Sequence, residues 1–152
     1  MKSLLAIALL SACVVSTVAS AQTDPGPPAA DACPATARDL PMAALYGTWQ
    51  ARFDGLPTVA TVRLGRHPDY NGVRGTITRG ADAVAQLAGD IDDDGQLALD
   101  ESQDGHSISG DWAGTLQPGS CGREFRGIWR NARDQSTHTF VLNKTGPAPS
   151  TE

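Results

Sequence analysis

Tight-turn signals punctuate this chain at short, nearly even intervals, and that spacing restricts its fold more than any other feature. Asp54-Gly55, Gly80 to Asp82, Asp94-Gly95, Asp104-Gly105, Pro118-Gly119 and Asn131 to Asp134 all carry the residue chemistry of a chain reversal. The runs between such signals are about ten to twelve residues apart and alternate apolar with polar side chains, the pattern of half-buried strands. They are too short for helices that hold without support, even around Leu87, where Ala83, Val84, Leu87 and Ala88 also fit a helical stripe. The spacing predicts strands over 44–53, 58–64, 72–79, 83–91, 95–101, 106–116, 123–130 and 136–144. Only Gly65 to Asn71, with His67 and Pro68, makes a longer loop. Connections this short make consecutive strands antiparallel neighbours. Eight of them remove their unpaired edges by closing, so the expectation is all-β: an eight-stranded antiparallel up-and-down β-barrel.

All three tryptophans sit two residues after a glycine: Gly47-Thr48-Trp49, Gly110-Asp111-Trp112 and Gly127-Ile128-Trp129. On a strand, positions i and i+2 share a face, so each phrase sets a gap beside a large ring, as a curled sheet around a core requires.

The ends of the chain read differently. Residues 1–21 have the form of a signal peptide, with Lys2, an apolar stretch from Leu4 to Val18, and Ala19-Ser20-Ala21 as a small-residue cleavage site. Leu10-Ser11-Ala12-Cys13 offers a competing reading as a bacterial lipobox, with lipidation at Cys13 and anchoring as an outer-membrane lipoprotein. Both place the mature chain outside the cytoplasm, periplasmic or secreted in the first case. Residues 22–42 form a Pro/Ala-rich arm, 43–144 the barrel domain, and 145–152 a Pro-containing tail. No later stretch is apolar enough for a transmembrane segment. With Cys13 removed or lipidated, Cys33 and Cys121 are the remaining pair, and an oxidising compartment favours their disulfide. Cleavage also removes Lys2, making the formal charge of −5 one unit more negative. Such a surface argues against nucleic acid as a partner, because affinity there rests on neutralising phosphates.

The Gly47-Thr48-Trp49 opening of the first strand, followed by a Gly-rich eight-strand meander over 44–144, resembles the calycin group, the lipocalin and avidin-type barrels, and related small bacterial extracytoplasmic barrels. The resemblance implies the barrel architecture and carries no ligand with it. A second, local resemblance runs from Leu40 through Pro41-Met42-Ala43-Ala44-Leu45-Tyr46 to Trp49, and is to bacterial metalloprotease inhibitors. It implies an N-terminal segment that works in a protease cleft.

Alternation fixes which side chains face inward, and up-and-down topology fixes their height. Most inward positions are ordinary core, and the exceptions collect at one rim, where odd strands end and even strands begin. Arg79 ends the third strand, Glu101 the fifth, His106 begins the sixth and His138 the eighth, with Phe53 and Trp129 ending the first and seventh. Ile108 follows His106 in the inward phase, and Glu101 and His106 are expected to face each other across a short turn. Convergent polar groups over aromatic rings at a barrel mouth are the form of a ligand-binding site: Phe53, Arg79, Glu101, His106, Trp129 and His138. Cys33 and Cys121 belong to the opposite rim, where the disulfide would pin the arm.

Asp90, Asp92, Asp94, Gly95 and Glu101 match the ligand spacing of an EF-hand loop. The context does not match, since a turn follows where a helix is needed, and a strand would carry Glu101 about 20 Å away from the Asp94 turn. Calcium at Asp90, Asp92 and Asp94 is thereby a weak metal candidate, and no other cofactor is expected. There is no nucleophile elbow, no free cysteine, no zinc-ligand spacing and no phosphate loop, so the chain does not read as an enzyme. The expectation is an exported, non-enzymatic barrel that takes a small molecule at the open rim. The alternative is a module that binds a protein such as a hydrolase, acting as an inhibitor through its arm or a rim.

Overall fold

The computed structural model describes residues 33–81 and 83–147. The leader, Cys13, the arm up to residue 32, Asp82 and the tail from residue 148 lie outside the described residues. Eight strands form a closed antiparallel barrel in sequence order: β1 (Gly47–Phe53), β2 (Ala60–Arg66), β3 (Val73–Arg79), β4 (Ala83–Ile91), β5 (Leu97–Ser102), β6 (Gly110–Leu116), β7 (Glu124–Asn131) and β8 (Thr137–Gly146). β8 returns to pair with β1, with a register shift between Thr48 and Trp49.

The core follows from strand phase. Trp49, Ala51 and Phe53 on β1, Val62 and Leu64 on β2, Ile77 on β3, Leu87 on β4, Leu97 and Leu99 on β5, and Trp112 and Leu116 on β6 are buried, as are Phe125, Phe140 and Leu142. Outward positions between them carry Gln50, Arg63, Arg74, Asp100 and Arg126. The rings interlock: Trp112 lies edge-on to Phe53 at 5.1 Å and to Phe140 at 4.9 Å between centroids, and Trp49 meets Phe125 at 5.9 Å. Aromatic pairs at such angles and distances add stabilisation beyond their buried area. With two tryptophans and three phenylalanines inside, the bore of an eight-stranded barrel is filled by side chains.

Two corrections concern the sixth strand. It starts at Gly110, four residues later than the expected 106. His106 and Ile108 therefore belong to the β5–β6 loop; both are exposed, Ile108 by 55%. The cause is Asp104, whose Oδ1 accepts from the backbone N–H groups of His106 (2.8 Å) and Ser107 (2.7 Å) and from Ser102 Oγ (3.1 Å). These bonds offer the backbone an alternative to the sheet ladder. The loop is closed by the Ser109 N–H donating to the Glu101 carbonyl at 2.7 Å.

At the second rim, where β1 begins, two short 3-10 turns, Ala37–Asp39 and Met42–Leu45, lead into the barrel. Thr36 and Asp39 cap the first turn reciprocally. Ala37 and Leu45 are buried, and Leu40 lies against Gly122, where an added Cβ would come within 2.7 Å of Leu40 Cδ2. Cys33 and Cys121 form the expected disulfide across 88 residues and hold this segment to the β6–β7 turn.

Candidate functional site

The first rim centres on Glu101, buried to 1% exposure at the inward face of β5. Its carboxylate accepts four hydrogen bonds. Arg79 Nη1 donates to Oε1 at 2.5 Å and Nη2 to Oε2 at 2.8 Å, a bidentate fork. Trp112 Nε1 and Trp129 Nε1 both donate to the same Oε2, at 3.2 and 3.1 Å. A buried carboxylate is tolerated when its charge is matched and both its oxygens are hydrogen-bonded, and here both conditions hold. The guanidinium of Arg79 is in turn enclosed by rings: its central carbon lies 5.1 Å from the Phe53 centroid, 5.3 Å from Trp129 and 6.0 Å from Trp112. Cation–π attraction of this kind strengthens as water is excluded.

The strand register explains how Trp129 reaches Glu101. Glu101 sits opposite Gly110, and Gly110 sits opposite Asn131 on β7. A Cβ on Gly110 would lie 2.6 Å from Trp129 Nε1, so the missing side chain is the space the indole occupies. Trp129 is itself paired with His138 across β7 and β8, ring centroids 5.9 Å apart. His138 Nδ1 is 2.9 Å from the Asp54 carbonyl oxygen, and because a carbonyl oxygen only accepts, Nδ1 is the donor of that bond.

Of the six rim residues singled out in the sequence, the structure brings five together: Phe53, Arg79, Glu101 and Trp129 in one interlocking cluster, and His138 beside Trp129. His106 is the exception. It does not face Glu101, because the Asp104-centred loop carries it outward and Gly110 takes the opposing position. Trp112, buried in the core, is also a donor to the cluster. The signal for that was present in strand phase, which turns Trp112 and Trp129 inward two residues from Gly110 and Asn131, the positions level with Glu101.

Above this cluster lies an open groove of about 820 Å³. Arg79, Glu101 and Trp129 form its floor, and the β5–β6 and β7–β8 loops form its walls. The loops are shaped by their own side chains. Besides Asp104, Asp134 Oδ1 accepts from the Ser136 N–H at 2.9 Å, and Asn131 Oδ1 from that of Arg133 at 2.8 Å. These bonds hold the Asp104 and Asp134 carboxyls below the usual carboxylate range, for Asp104 chiefly through the backbone N–H groups of Ser107 and His106, for Asp134 chiefly through Ser136. Leu56 and Ile108, both exposed, bring apolar surface to the groove's margin.

Asp90, Asp92 and Asp94 lead into the β4–β5 hairpin. Asp92 Oδ1 accepts from the N–H groups of Asp94 (2.9 Å) and Gln96 (2.8 Å), which shapes the β4–β5 hairpin around Gly95. Glu101 is held in the rim cluster instead. Among the described residues, no group of three or more His, Cys, Asp or Glu side chains is placed to hold a metal ion.

Compared with protein-family models and with curated proteins, the chain matches none. The closed eight-stranded meander fits a calycin-like fold, and the likeness is one of architecture. No helix among the described residues is long and apolar enough to cross a membrane.

Proposed function

We propose that this chain is an exported, non-enzymatic binding module that holds a partner in the groove of its first rim, outside the barrel and not within it. The carrying observation is the cluster beneath that groove. Arg79, Glu101, Trp112 and Trp129 direct their polar groups at one another, and Phe53 closes the remaining space, so an apolar ligand has no bore to enter. Small-molecule sites bury most of their ligand in a concave, largely apolar pocket. The groove here is open and walled by Ser, Asn, Asp and Arg side chains from two loops, with Leu56 and Ile108 as apolar contacts. A rigid scaffold carrying shaped polar loops suits a protein segment, which favours the protein-partner reading over a lipocalin-style ligand.

The test is a comparison of three proteins against the same extracellular or envelope extract: wild type, Ile108→Asp with Arg133→Glu, and a variant whose arm is deleted up to residue 32. The expected result is a partner retained by wild type and by the arm deletion and lost by the rim variant. Loss with the arm deletion alone would move the function to the arm. Saturable quenching of tryptophan emission by a lipid or sterol would overturn the closed-bore argument.

A further inference from the structure

The second rim carries a different arrangement, in which two cations share a cleft and, among the described residues, no carboxylate answers them. The cleft measures about 640 Å³ and is bordered by Ala44, Cys121, Gly122, Arg123, Lys144 and Thr145. Lys144 stands on β8 with its ammonium 5.5 Å above the Trp49 ring and its Nζ donating to the Ala44 carbonyl at 2.6 Å. Arg123, exposed in the β6–β7 turn just before β7, reaches across with Nη2 at 3.5 Å from the Lys144 carbonyl oxygen. The nearest acid in sequence, Glu124, is engaged by Arg126 at 2.6 Å. The ion pairs among the described residues are Arg79 with Glu101, Arg126 with Glu124 and Arg130 with Asp111, so neither Arg123 nor Lys144 has an acidic partner within them.

We propose that this cleft is an oxyanion site, in which the Arg123 fork and the Lys144 ammonium together bind a carboxylate or phosphate group beside the disulfide. A guanidinium matches the two oxygens of such a group bidentately, while the ammonium adds a point charge. The cost of holding both cations is visible in Lys144 itself. Burial first, and the Arg123 charge second, hold its ammonium below the ordinary lysine range. An anion between the two would remove that repulsion. Because Lys144 also holds Ala44, the site joins the segment that leads into the barrel to β7 and β8.

The full chain at low ionic strength is titrated with inorganic phosphate and, separately, with citrate, following Arg123 and Lys144 side-chain resonances by NMR. Sodium chloride at matched ionic strength is the control. Saturable shifts are expected with at least one oxyanion, and whichever binds more tightly assigns the site to phosphate or to carboxylate. Arg123→Gln, whose lost contacts lie at the surface, is expected to weaken that binding about tenfold with unchanged thermal unfolding, while Lys144→Arg retains it. Shifts no different from those in sodium chloride, or unaltered affinity in Arg123→Gln, would overturn the proposal.

Discussion

The two ends of the barrel solve one problem in opposite ways. Each must stop a bore lined with large rings, and each places a cation against tryptophan to do so: Arg79 over Trp129 and Trp112 at the first rim, Lys144 over Trp49 at the second. The first end supplies the countercharge from inside the fold, through Glu101, and is sealed by side chains alone. The second, among the described residues, supplies a carbonyl oxygen from Ala44 and no acid, and relies on a covalently tethered segment to cover the remaining core. A saturated ion pair makes a floor. A cation without an acid makes a receptor.

Breaking the tether should have the largest effect. With Cys33→Ser and Cys121→Ser together, a closed loop of 88 residues is released, and stability in urea is expected to fall by about 4 kcal/mol, with Leu40 and Tyr46, whose N–H groups are hydrogen-bonded within the segment, exchanging their amide protons first. A loss under about 1 kcal/mol would mean that the 3-10 segment is held by packing alone.

Glu101→Ala attacks the other end. It strands Arg79, still only a quarter exposed, along with two indole N–H groups, and should cost about 3 kcal/mol. The paired change Arg79→Met with Glu101→Met is expected to cost less than Glu101→Ala alone, because it leaves no buried charge. If the paired variant were the less stable of the two, the floor would owe its strength to the ion pair itself.

Gly110→Ala is subtler. The added methyl would occupy the place of Trp129 Nε1, so the indole must leave Glu101 at a cost of about 1.5 kcal/mol. Its emission should shift to longer wavelength as the ring moves toward the groove, while Trp112 stays in place.

The smallest effect concerns pH. Asp104 and Asp134 are held below their ordinary range by loop hydrogen bonds. The stability these bonds lend is therefore present above the ordinary aspartate range and is lost as pH falls through the depressed values. The Ser107 and Ser136 amide resonances should report the groove walls loosening in strong acid while the barrel persists. Asp104→Asn should remove that acid dependence at Ser107 and leave Ser136 unchanged.

Strand phase and turn spacing carried the reading a long way. All eight strands, the closed order, and the gathering of Arg79, Glu101, Phe53, Trp129 and His138 at one rim follow from alternation and up-and-down height, and the disulfide follows from the two cysteines left after the leader. His106 and Ile108 mark where that reasoning stops. Their apolar-polar alternation continues that of β6, but Asp104 captures the backbone N–H groups of the loop and takes both residues off the sheet. Alternation assigns a side chain to a face and says nothing of which partner its polar atoms find. The Trp129 bond to Glu101 depended on Gly110, a glycine three strands from Arg79, and the Arg123–Lys144 cleft on a side chain that reaches from the β6–β7 turn to the backbone of β8.

The seam between β1 and β8 sets the order in which this protein can be made. Each of the other seven pairings joins strands adjacent in sequence, a hairpin that forms as soon as both arms exist. The seam joins Phe53 to Phe140 and Thr48 to Gly146, so it waits for almost the entire chain. Until β8 arrives, a curled but unclosed sheet offers its first strand to any other chain nearby. The rate of that one closure, more than the stability of any hairpin, should govern how much of the protein reaches its folded form.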